Sequence, residues 1–418
     1  MRFHCIVFIT LCLSWSSVEA ADYNYPYLDP YLATATTAIL NDDGITPRLK
    51  SQIVHVPGLP DRNQLPSLEG RGELSVALYR QNHPAPLLFI LPGVGSNPYF
   101  GVATYLARLF YQEGSHIVIF PSPMSWNFAL SASRSGAPGY APADARDLYE
   151  AMQKSLSVLR DRYNVKITGI NFMGVSLGAL EGAYLSVLDA EERKIGIEKY
   201  LLVNPPLDLY YALKKVDEWH ALQNKFGRDK SKEIVAKAIG IVESFPKIAG
   251  MTQRSLTDWQ RTSPVSRQKS SSFSLLRICK LSFPNSSMSR KSFTTKGSYN
   301  CQRPGQKTTP RSARFDVHGL QRKIGLPLWR IQEGEPQADL GSFIKRGSLA
   351  PILDRLRSNS KVHIMHNADD FLADKKSIED LKEALGDQVT LYPYGGHLGN
   401  LWFPENKEYA LRLFKTVP

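Results

Sequence analysis

Residues 167–180 read ITGINFMGVSLGAL, a short apolar segment that continues through Gly-x-Ser-x-Gly into a helical pattern. A serine on such a strand-to-helix turn, here Ser176, takes strained backbone angles, and the glycines on either side leave room for the chain segments that cross there. The start of the following helix offers unpaired N–H groups and a positive dipole end, which suit a developing oxyanion. The flanking strand and helix, rather than the five-residue pattern alone, favour Ser176 as a nucleophile.

A glycine-rich loop follows the continuous apolar run 87–91, which is typical of a buried strand. The loop reads Pro92-Gly93-Val94-Gly95. It is compatible with an ordinary strand-to-helix turn, but beside Ser176 it also suits an oxyanion hole, which needs a backbone N–H from the loop after the third strand. We therefore predict that the N–H groups of Val94 and Leu177 hold the oxyanion. The absence of Gly-x-Gly-x-x-Gly from the sequence argues against a dinucleotide site.

The alternation of apolar strands with amphipathic helices predicts an α/β fold with a mostly parallel central sheet and helices on both faces. The first two strands read as an antiparallel start to this sheet. Strands are expected at 51–56, 73–79, 87–91, 116–120, before Ser176, and at 200–203, 361–365 and 389–392. Helices are expected at 31–40, 99–113, 142–163, 177–188, 376–385 and 405–414, with 207–226 and 229–245 as an inserted helical cap. The loop 121–140, with Trp126, is either a substrate wall or a surface loop with one buried tryptophan.

An acid and a base follow the last two strands. Asp369 and Asp370 come after the strand 361–365, and Gly395-Gly396-His397 comes after 389–392. A serine hydroxyl needs a base to take its proton, and a neutral imidazole does so near neutral pH. The imidazole in turn needs a carboxylate that fixes its tautomer. An Asp-Asp pair is also common in solvated loops, and a histidine after two glycines can be a simple turn residue.

The order of these motifs resembles the α/β-hydrolase family over residues 51–207 and 362–418. Residues 174–178 are similar to its nucleophile elbow, 92–95 to its oxyanion loop and 396–397 to its histidine loop. The family usually has a glycine three residues before the acid and an apolar residue two after it. Asn367 and Leu372 occupy these places, which favours Asp370 over Asp369 as the acid, although Asn367 departs from the pattern.

The resemblance implies a secreted serine esterase or lipase-like enzyme with Ser176, Asp370 and His397 as its catalytic residues. It implies an acyl-enzyme mechanism without metal or cofactor and a small-molecule ester or lipid substrate. Thioesterase and peptidase activities stay open. A protein of another class, a non-catalytic binding or surface-associated chain that keeps this fold, is the alternative. We expect no nucleic-acid partner and no transmembrane segment, and the oligomeric state is left open.

The first twenty residues resemble a secretory signal. Arg2 precedes the apolar run 6–15, which is too short to span a bilayer, and Val18-Glu19-Ala20 is a small-residue cleavage pattern. We predict cleavage after Ala20 and a soluble mature protein in the periplasm or outside the cell. The other predicted boundaries are an irregular surface segment at 21–50, the hydrolase core at 51–206 and 346–418, and the cap at 207–345.

The segment 262–314 differs in composition from the rest of the chain. It contains thirteen serines, eleven Lys and Arg residues and no Asp or Glu, and so carries nearly all of the net charge of +12. Four interpretations are compatible with this: a basic insertion for an anionic surface, a solvated linker, part of a cap closed by Cys279 and Cys301, or a stretch translated out of frame. We favour the last hypothesis, because composition returns abruptly to an ordinary pattern by about residue 323.

Overall fold

An eight-stranded sheet forms the centre of the computed structural model, which describes residues 23–37, 49–59, 73–94, 96, 98–99, 101–219, 319 and 321–415. The strands are β1 (Gln52–Val56), β2 (Leu74–Tyr79), β3 (Ala85–Leu91), β4 (His116–Ile119), β5 (Ile167–Val175), β6 (Lys199–Val203), β7 (Val362–Asn367) and β8 (Val389–Tyr392). They lie in the order β1-β2-β4-β3-β5-β6-β7-β8. Only β2 runs against the direction of the other strands, pairing antiparallel with β1 and β4, and β3 to β8 pair in parallel. The predicted mostly parallel sheet is confirmed.

Helices cover both faces of this sheet. They are α1 (Pro30–Thr36), α2 (Val102–Gln112), α3 (Trp126–Ser131), α4 (Ala141–Asp161), α5 (Leu177–Glu192), α6 (Leu326–Glu333), α7 (Leu340–Gly347), α8 (Leu353–Ser358), α9 (Lys375–Leu385) and α10 (Pro404–Phe414). Residues 209–219 are also helical, and a π-helical turn at Gln321–Gly325 leads into α6. The buried side chains of α4, α5 and α9 share one core, while those of α2 and α10 share the other.

The alternation of side chains along β3 shows how the sequence builds these two cores. Leu87, Phe89 and Leu91 belong to the first core, whereas Leu88 and Ile90 belong to the second. Successive residues of a strand point to opposite faces, so a continuous apolar run is what a sheet buried on both sides requires. The local sequence therefore contains enough information to place the strand.

The loop predicted at 121–140 contains the short helix α3, which begins after Ser125. The Ser125 hydroxyl accepts a hydrogen bond from the Phe128 N–H at 3.2 Å and caps the helix. Phe128 is fully buried, whereas Trp126 is 44% exposed. Of the two alternatives given for this loop, the one with a buried tryptophan is wrong, because the helix turns Phe128 rather than Trp126 toward the core.

The N-terminal segment has the helix expected near residue 31, as α1, but it departs from the predicted surface course. In its described part, residues 23–37, Tyr25 and Tyr27 are almost fully buried. Both rings lie within 6.3 Å of the Trp402 ring near the C-terminal helix. This contact joins the two ends of the chain, so no local pattern around the tyrosines could have indicated it.

Several predictions concern residues outside the described part of the chain. They are the signal sequence at 1–20, the helix 229–245 and the basic segment 262–314. The helix predicted at 207–226 is present over 209–219, and the boundaries of the cap stay a prediction. Among the described residues, no helix combines the length and apolar composition that crossing a membrane requires.

Candidate active site

Ser176 lies on a sharp turn between the end of β5 and the start of α5. Its backbone angles are φ 55° and ψ −124°, which are unusual for a residue with a side chain. Its N–H donates to the Val203 carbonyl of the neighbouring strand β6 at 2.9 Å, which fixes the turn against the sheet. The strained geometry exposes the hydroxyl at the carboxyl ends of the parallel strands.

The two glycines of the motif are required because backbone passes directly over them. A Cβ atom on Gly174 would lie 2.2 Å from the Gly178 carbonyl oxygen, and one on Gly178 would lie 2.1 Å from the Leu91 carbonyl oxygen. Gly93 approaches the serine itself, since a Cβ there would lie 2.8 Å from the Ser176 Cβ. The glycine-rich loop after β3 therefore lies beside the hydroxyl, as the sequence predicted.

The side chains of Ser176, His397 and Asp370 form a continuous hydrogen-bonded row. His397 Nε2 lies 2.8 Å from Ser176 Oγ, and His397 Nδ1 lies 2.9 Å from Asp370 Oδ2. His397 and Asp370 are 7% and 4% exposed, so water has little access to the contact between them. An ionised Asp370 only accepts hydrogen bonds, so Nδ1 carries the hydrogen and Nε2 accepts from the serine hydroxyl.

Asp370 is held ionised by its surroundings. Burial on its own would raise the pKa of its carboxyl, but the charge and hydrogen bond of His397 hold that pKa below the usual value. Asn204 Nδ2 donates to Oδ2 at 2.8 Å, and the Leu372 N–H donates to Oδ1 at 2.9 Å. These donors fix both carboxylate oxygens in place.

Asp369, the neighbouring candidate, faces a different part of the site. Its carboxylate accepts hydrogen bonds from the N–H groups of Gly395 and Gly396, at 3.2 Å and 2.8 Å. Burial raises the pKa of Asp369 to about 6. The structure therefore brings Asp370 to the imidazole and Asp369 to the backbone of the loop that carries the imidazole.

Further hydrogen bonds and packing contacts, which the sequence did not reveal, hold the loop before His397 in place. The His397 N–H donates to Thr34 Oγ1 at 2.8 Å, and Asn367 Nδ2 donates to the Gly396 carbonyl at 2.8 Å. A Cβ on Gly396 would lie 2.0 Å from the Pro30 carbonyl oxygen, so α1 packs directly on the loop. Nothing in the sequence around Thr34 points to this role.

The position of Asn204 in the sequence indicates that it lies near the acid. It follows β6 directly and precedes two prolines, which places it at the same end of the parallel sheet as Ser176. It also has a positive φ of 47°, a conformation that asparagine tolerates better than most residues. A polar residue at that position is a candidate for contact with the acid.

The two residues predicted to hold an oxyanion lie on the serine side of the row. Leu177 is the first residue of α5, so its N–H has no carbonyl partner within the helix. Val94 is partly buried in the loop that approaches Ser176 through Gly93. Their assignment as N–H donors to a substrate oxygen stays a prediction.

The described residues provide no group of three or more His, Cys, Asp or Glu side chains placed to hold a metal ion. The described residues at this site supply a hydrogen-bonded row of three side chains and the backbone N–H groups around it. A serine hydroxyl bonded to an imidazole whose other nitrogen faces a carboxylate is the arrangement used for nucleophilic attack on acyl groups.

Comparison with known proteins gives likenesses to solved structures only. No family model and no curated protein sequence matches the chain. An esterase from Pyrococcus furiosus aligns over 87% of this chain and 92% of its own, with 14% identity and a TM-score of 0.42. Brefeldin A esterase, a bacterial homologue of human hormone-sensitive lipase, aligns over 91% and 82%, with 14% identity and a TM-score of 0.40.

A third structure, an acylaminoacyl peptidase from Pyrococcus horikoshii, aligns over 87% of this chain and 40% of its own, with 10% identity and a TM-score of 0.41. Identities this low do not extend the activities of these proteins to this chain. The strand order, with only β2 running against the other strands, and the Gly-x-Ser-x-Gly turn between β5 and α5 are features of the chain itself. By these features the protein has the α/β-hydrolase fold.

Proposed function

We propose that this protein is a serine hydrolase that cleaves carboxylic esters through an acyl-enzyme. The observation that carries the proposal is the row in which His397 lies 2.8 Å from the Ser176 hydroxyl and 2.9 Å from the Asp370 carboxylate. The first contact is short enough for the proton transfer from serine to imidazole that the reaction requires, and the second is a hydrogen bond that orients the imidazole without moving a proton to Asp370.

In the first half of the reaction, Ser176 Oγ attacks the ester carbonyl while His397 Nε2 takes the hydroxyl proton. The carbonyl oxygen becomes an oxyanion, which we place against the N–H groups of Leu177 and Val94. The bond from the carbonyl carbon to the alcohol oxygen then breaks, and the imidazolium gives its proton to the departing alcohol. Asp370, held ionised, stabilises the imidazolium during this step.

In the second half, water attacks the carbonyl carbon of the Ser176 ester and His397 takes a proton from it. Collapse of this second oxyanion releases the carboxylic acid, and the proton on His397 returns to the serine oxygen. The net reaction consumes one ester and one water and produces one acid and one alcohol. No group outside the row has to change its protonation state.

Labelling with a fluorophosphonate probe tests the proposal, because the probe reacts with an activated serine. We expect wild-type protein to be labelled and Ser176→Ala to be unlabelled. Ser157→Ala, which removes an exposed hydroxyl from α4, is the matched control and should label like wild type. An unlabelled wild type would instead support a non-catalytic binding protein with this fold.

A second experiment identifies the class of bond that the enzyme cleaves. Thioesters and amides are attacked by the same chemistry, so we compare turnover of an ester, a thioester and an anilide that share one acyl group. We expect the ester to be the substrate with measurable kcat/KM and the anilide to be the poorest, because its amine is the worst leaving group. Faster turnover of the anilide would reassign the enzyme as a peptidase.

We also propose that the protein is secreted. The support comes from Arg2, the apolar run 6–15 and the small-residue pattern at 18–20. N-terminal sequencing of protein purified from its native source should find Ala21 as the first residue. Recovery of chains that begin at Met1 would contradict secretion by this route.

A further inference from the structure

Three aromatic side chains pack together beside His397. The rings of Tyr31 and Phe371 are stacked, with centroids 4.6 Å apart and planes inclined by 18°. The Trp219 ring is inclined by 72° to that of Phe371 and by 77° to that of Tyr31, with ring centroids 4.9 Å and 5.8 Å apart. We call Tyr31, Trp219 and Phe371 the aromatic wall. Its members come from α1, from the helical residues 209–219 and from the loop that carries Asp370.

The aromatic wall lies next to the catalytic row proposed above. Phe371 follows Asp370 in the chain, and its ring centroid is 6.4 Å from that of the His397 imidazole. Within the wall, Trp219 is 8% exposed, whereas Tyr31 and Phe371 are only partly buried. Phe371 lies next to the imidazole and Tyr31 stacks on Phe371, so these two partly exposed residues provide apolar surface that a ligand could cover.

The position of the aromatic wall indicates which part of an ester substrate, the alcohol or the acyl group, it would contact. In the proposed reaction His397 Nε2 passes the serine proton to the departing alcohol, so that alcohol must come within hydrogen-bond distance of Nε2 and lie beside the imidazole. The oxyanion donors that we assign, Leu177 and Val94, belong to the elbow and the glycine loop, which hold the acyl carbonyl. The ring nearest the imidazole, Phe371, is therefore placed to contact the alcohol rather than the acyl group.

We propose that the aromatic wall binds the alcohol part of the substrate, so that the enzyme prefers esters of aromatic or bulky apolar alcohols over esters of small alkyl alcohols. This inference rests on the proposed ester hydrolysis and names the substrate class of that site. Stacking on a ring adds to the free energy of burying apolar surface, so an aromatic alcohol gains more from the wall than ethanol does.

The test compares benzyl acetate with ethyl acetate, which share the acyl group. In wild type, kcat/KM for benzyl acetate should exceed that for ethyl acetate. In Phe371→Leu and in Tyr31→Leu, the ratio of the two kcat/KM values should fall by about tenfold, since leucine keeps an apolar side chain but removes the ring. Two variants from different chain segments keep the test valid if one of them fails to fold.

Tyr409→Leu is the matched control, because Tyr409 is a partly buried aromatic residue on α10 outside the wall. It should leave the ratio at its wild-type value. A second series, ethyl acetate against ethyl hexanoate, varies the acyl group alone, and the two wall variants should leave this preference unchanged.

The outcomes separate the inference from the proposed function. Hydrolysis with an unchanged benzyl-to-ethyl ratio in both wall variants overturns the inference alone, as does a change confined to the acyl series. A wild type that is labelled by the fluorophosphonate but hydrolyses neither acetate also overturns it. A wild type that is neither labelled nor active overturns the proposed function and the inference together.

Discussion

Asp369 and Asp370 are neighbours in the chain but interact with different parts of the site. The Asp370 carboxylate faces the His397 imidazole, and that of Asp369 faces two backbone N–H groups of the loop before it. The contrast extends to protonation, since the pKa of Asp370 is held below its usual value and that of Asp369 is raised to about 6. One residue is placed to act on the imidazole, and the other to position the loop that carries it.

Single substitutions of the two aspartates should have unequal effects on turnover. Asp370→Asn should lower kcat by roughly 10³–10⁴-fold, because an amide favours the wrong imidazole tautomer and does not stabilise the imidazolium. Asp369→Asn should lower kcat by about tenfold or less, since the amide oxygen still accepts hydrogen bonds from the loop. Ester turnover at saturating substrate measures both. Equal activity in the two variants would refute the assignment of Asp370.

Asp369 should also make stability depend on pH. Its pKa is about 6 in the folded protein and about 3.9 in an unfolded chain. Well below pH 4 the carboxyl is protonated in both states, so it does not lower the free energy of unfolding. Between pH 4 and pH 6 the unfolded chain releases the proton first, so the folded state loses up to about 3 kcal/mol relative to the unfolded state as the pH rises.

Replacing this carboxyl with an amide should remove that loss. When the pH rises from 4 to 8, the wild type should lose up to about 3 kcal/mol of unfolding free energy that Asp369→Asn does not lose. Urea titrations of both proteins at the two pH values measure the difference, and all other titrating groups are common to both. Parallel changes in the two proteins would show that Asp369 does not titrate in this range.

At the scale of elements, α1 and the loop before His397 act as one unit. Thr34 Oγ1 accepts the His397 N–H at 2.8 Å while its hydroxyl donates to the Pro30 carbonyl at 2.7 Å. The missing side chain of Gly396 lets the Pro30 carbonyl approach closely. The helix therefore determines the position of the histidine backbone, although it lies more than 360 residues away in the chain.

Removing the Thr34 hydroxyl should reduce turnover. Thr34→Ala leaves the buried His397 N–H without its acceptor, a loss of about 1–3 kcal/mol that allows the imidazole to leave its position. We expect kcat to fall by about tenfold with KM nearly unchanged, and Thr34→Ser to restore kcat. Steady-state kinetics of the three proteins measures this. Equal kcat in wild type and Thr34→Ala, or a loss that serine does not restore, would contradict a positioning role.

At the scale of the whole molecule, the site is assembled from two distant parts of the chain. Ser176 belongs to the part that forms β1 to β6, and Asp370 and His397 belong to the part that forms β7 and β8. The two parts join through the parallel pairing of β6 with β7, in which Tyr200 is opposite Val362. All the strands that the structure describes thus lie outside residues 262–314.

The sheet should consequently form without the native sequence of 262–314. We expect a variant in which these residues are replaced by a Gly-Ser linker of equal length to be soluble and to be labelled by a fluorophosphonate, because a flexible linker of that length leaves the closure entropy almost unchanged. The same variant with Ser176→Ala is the control. An insoluble or unlabelled product would show that the segment takes part in the fold or the site.

The hypothesis that 262–314 is translated out of frame has its own test. Reading the gene in the two other frames over these codons should give one open frame with helical apolar spacing that continues from Phe245. If neither frame is open, the segment is a genuine part of the protein, and its basic, serine-rich composition needs a functional explanation.

The strands and most of the helices were predictable because their signals are local. Along β3, β4 and β6, neighbouring residues alternate between two cores, so the apolar runs that mark these strands are a direct consequence of burial on both faces. The elbow was predictable because Gly-x-Ser-x-Gly is a local pattern, and Gly174 is required by the carbonyl of Gly178 four residues away. Gly178 is required by the Leu91 carbonyl of the adjacent strand, a contact that only the sheet creates.

The sequence by itself determined the order of the strands along the chain, the strand-to-helix turn at Ser176, and the choice of two candidate acids and one candidate base. Only the tertiary structure decided that Asp370 meets the imidazole, that Thr34 and Asn204 support the row, and that Tyr31, Trp219 and Phe371 meet beside it. The physical reason is distance along the chain. Periodicity and turn chemistry act over a few residues, whereas these contacts depend on how remote helices and loops pack onto one edge of the sheet.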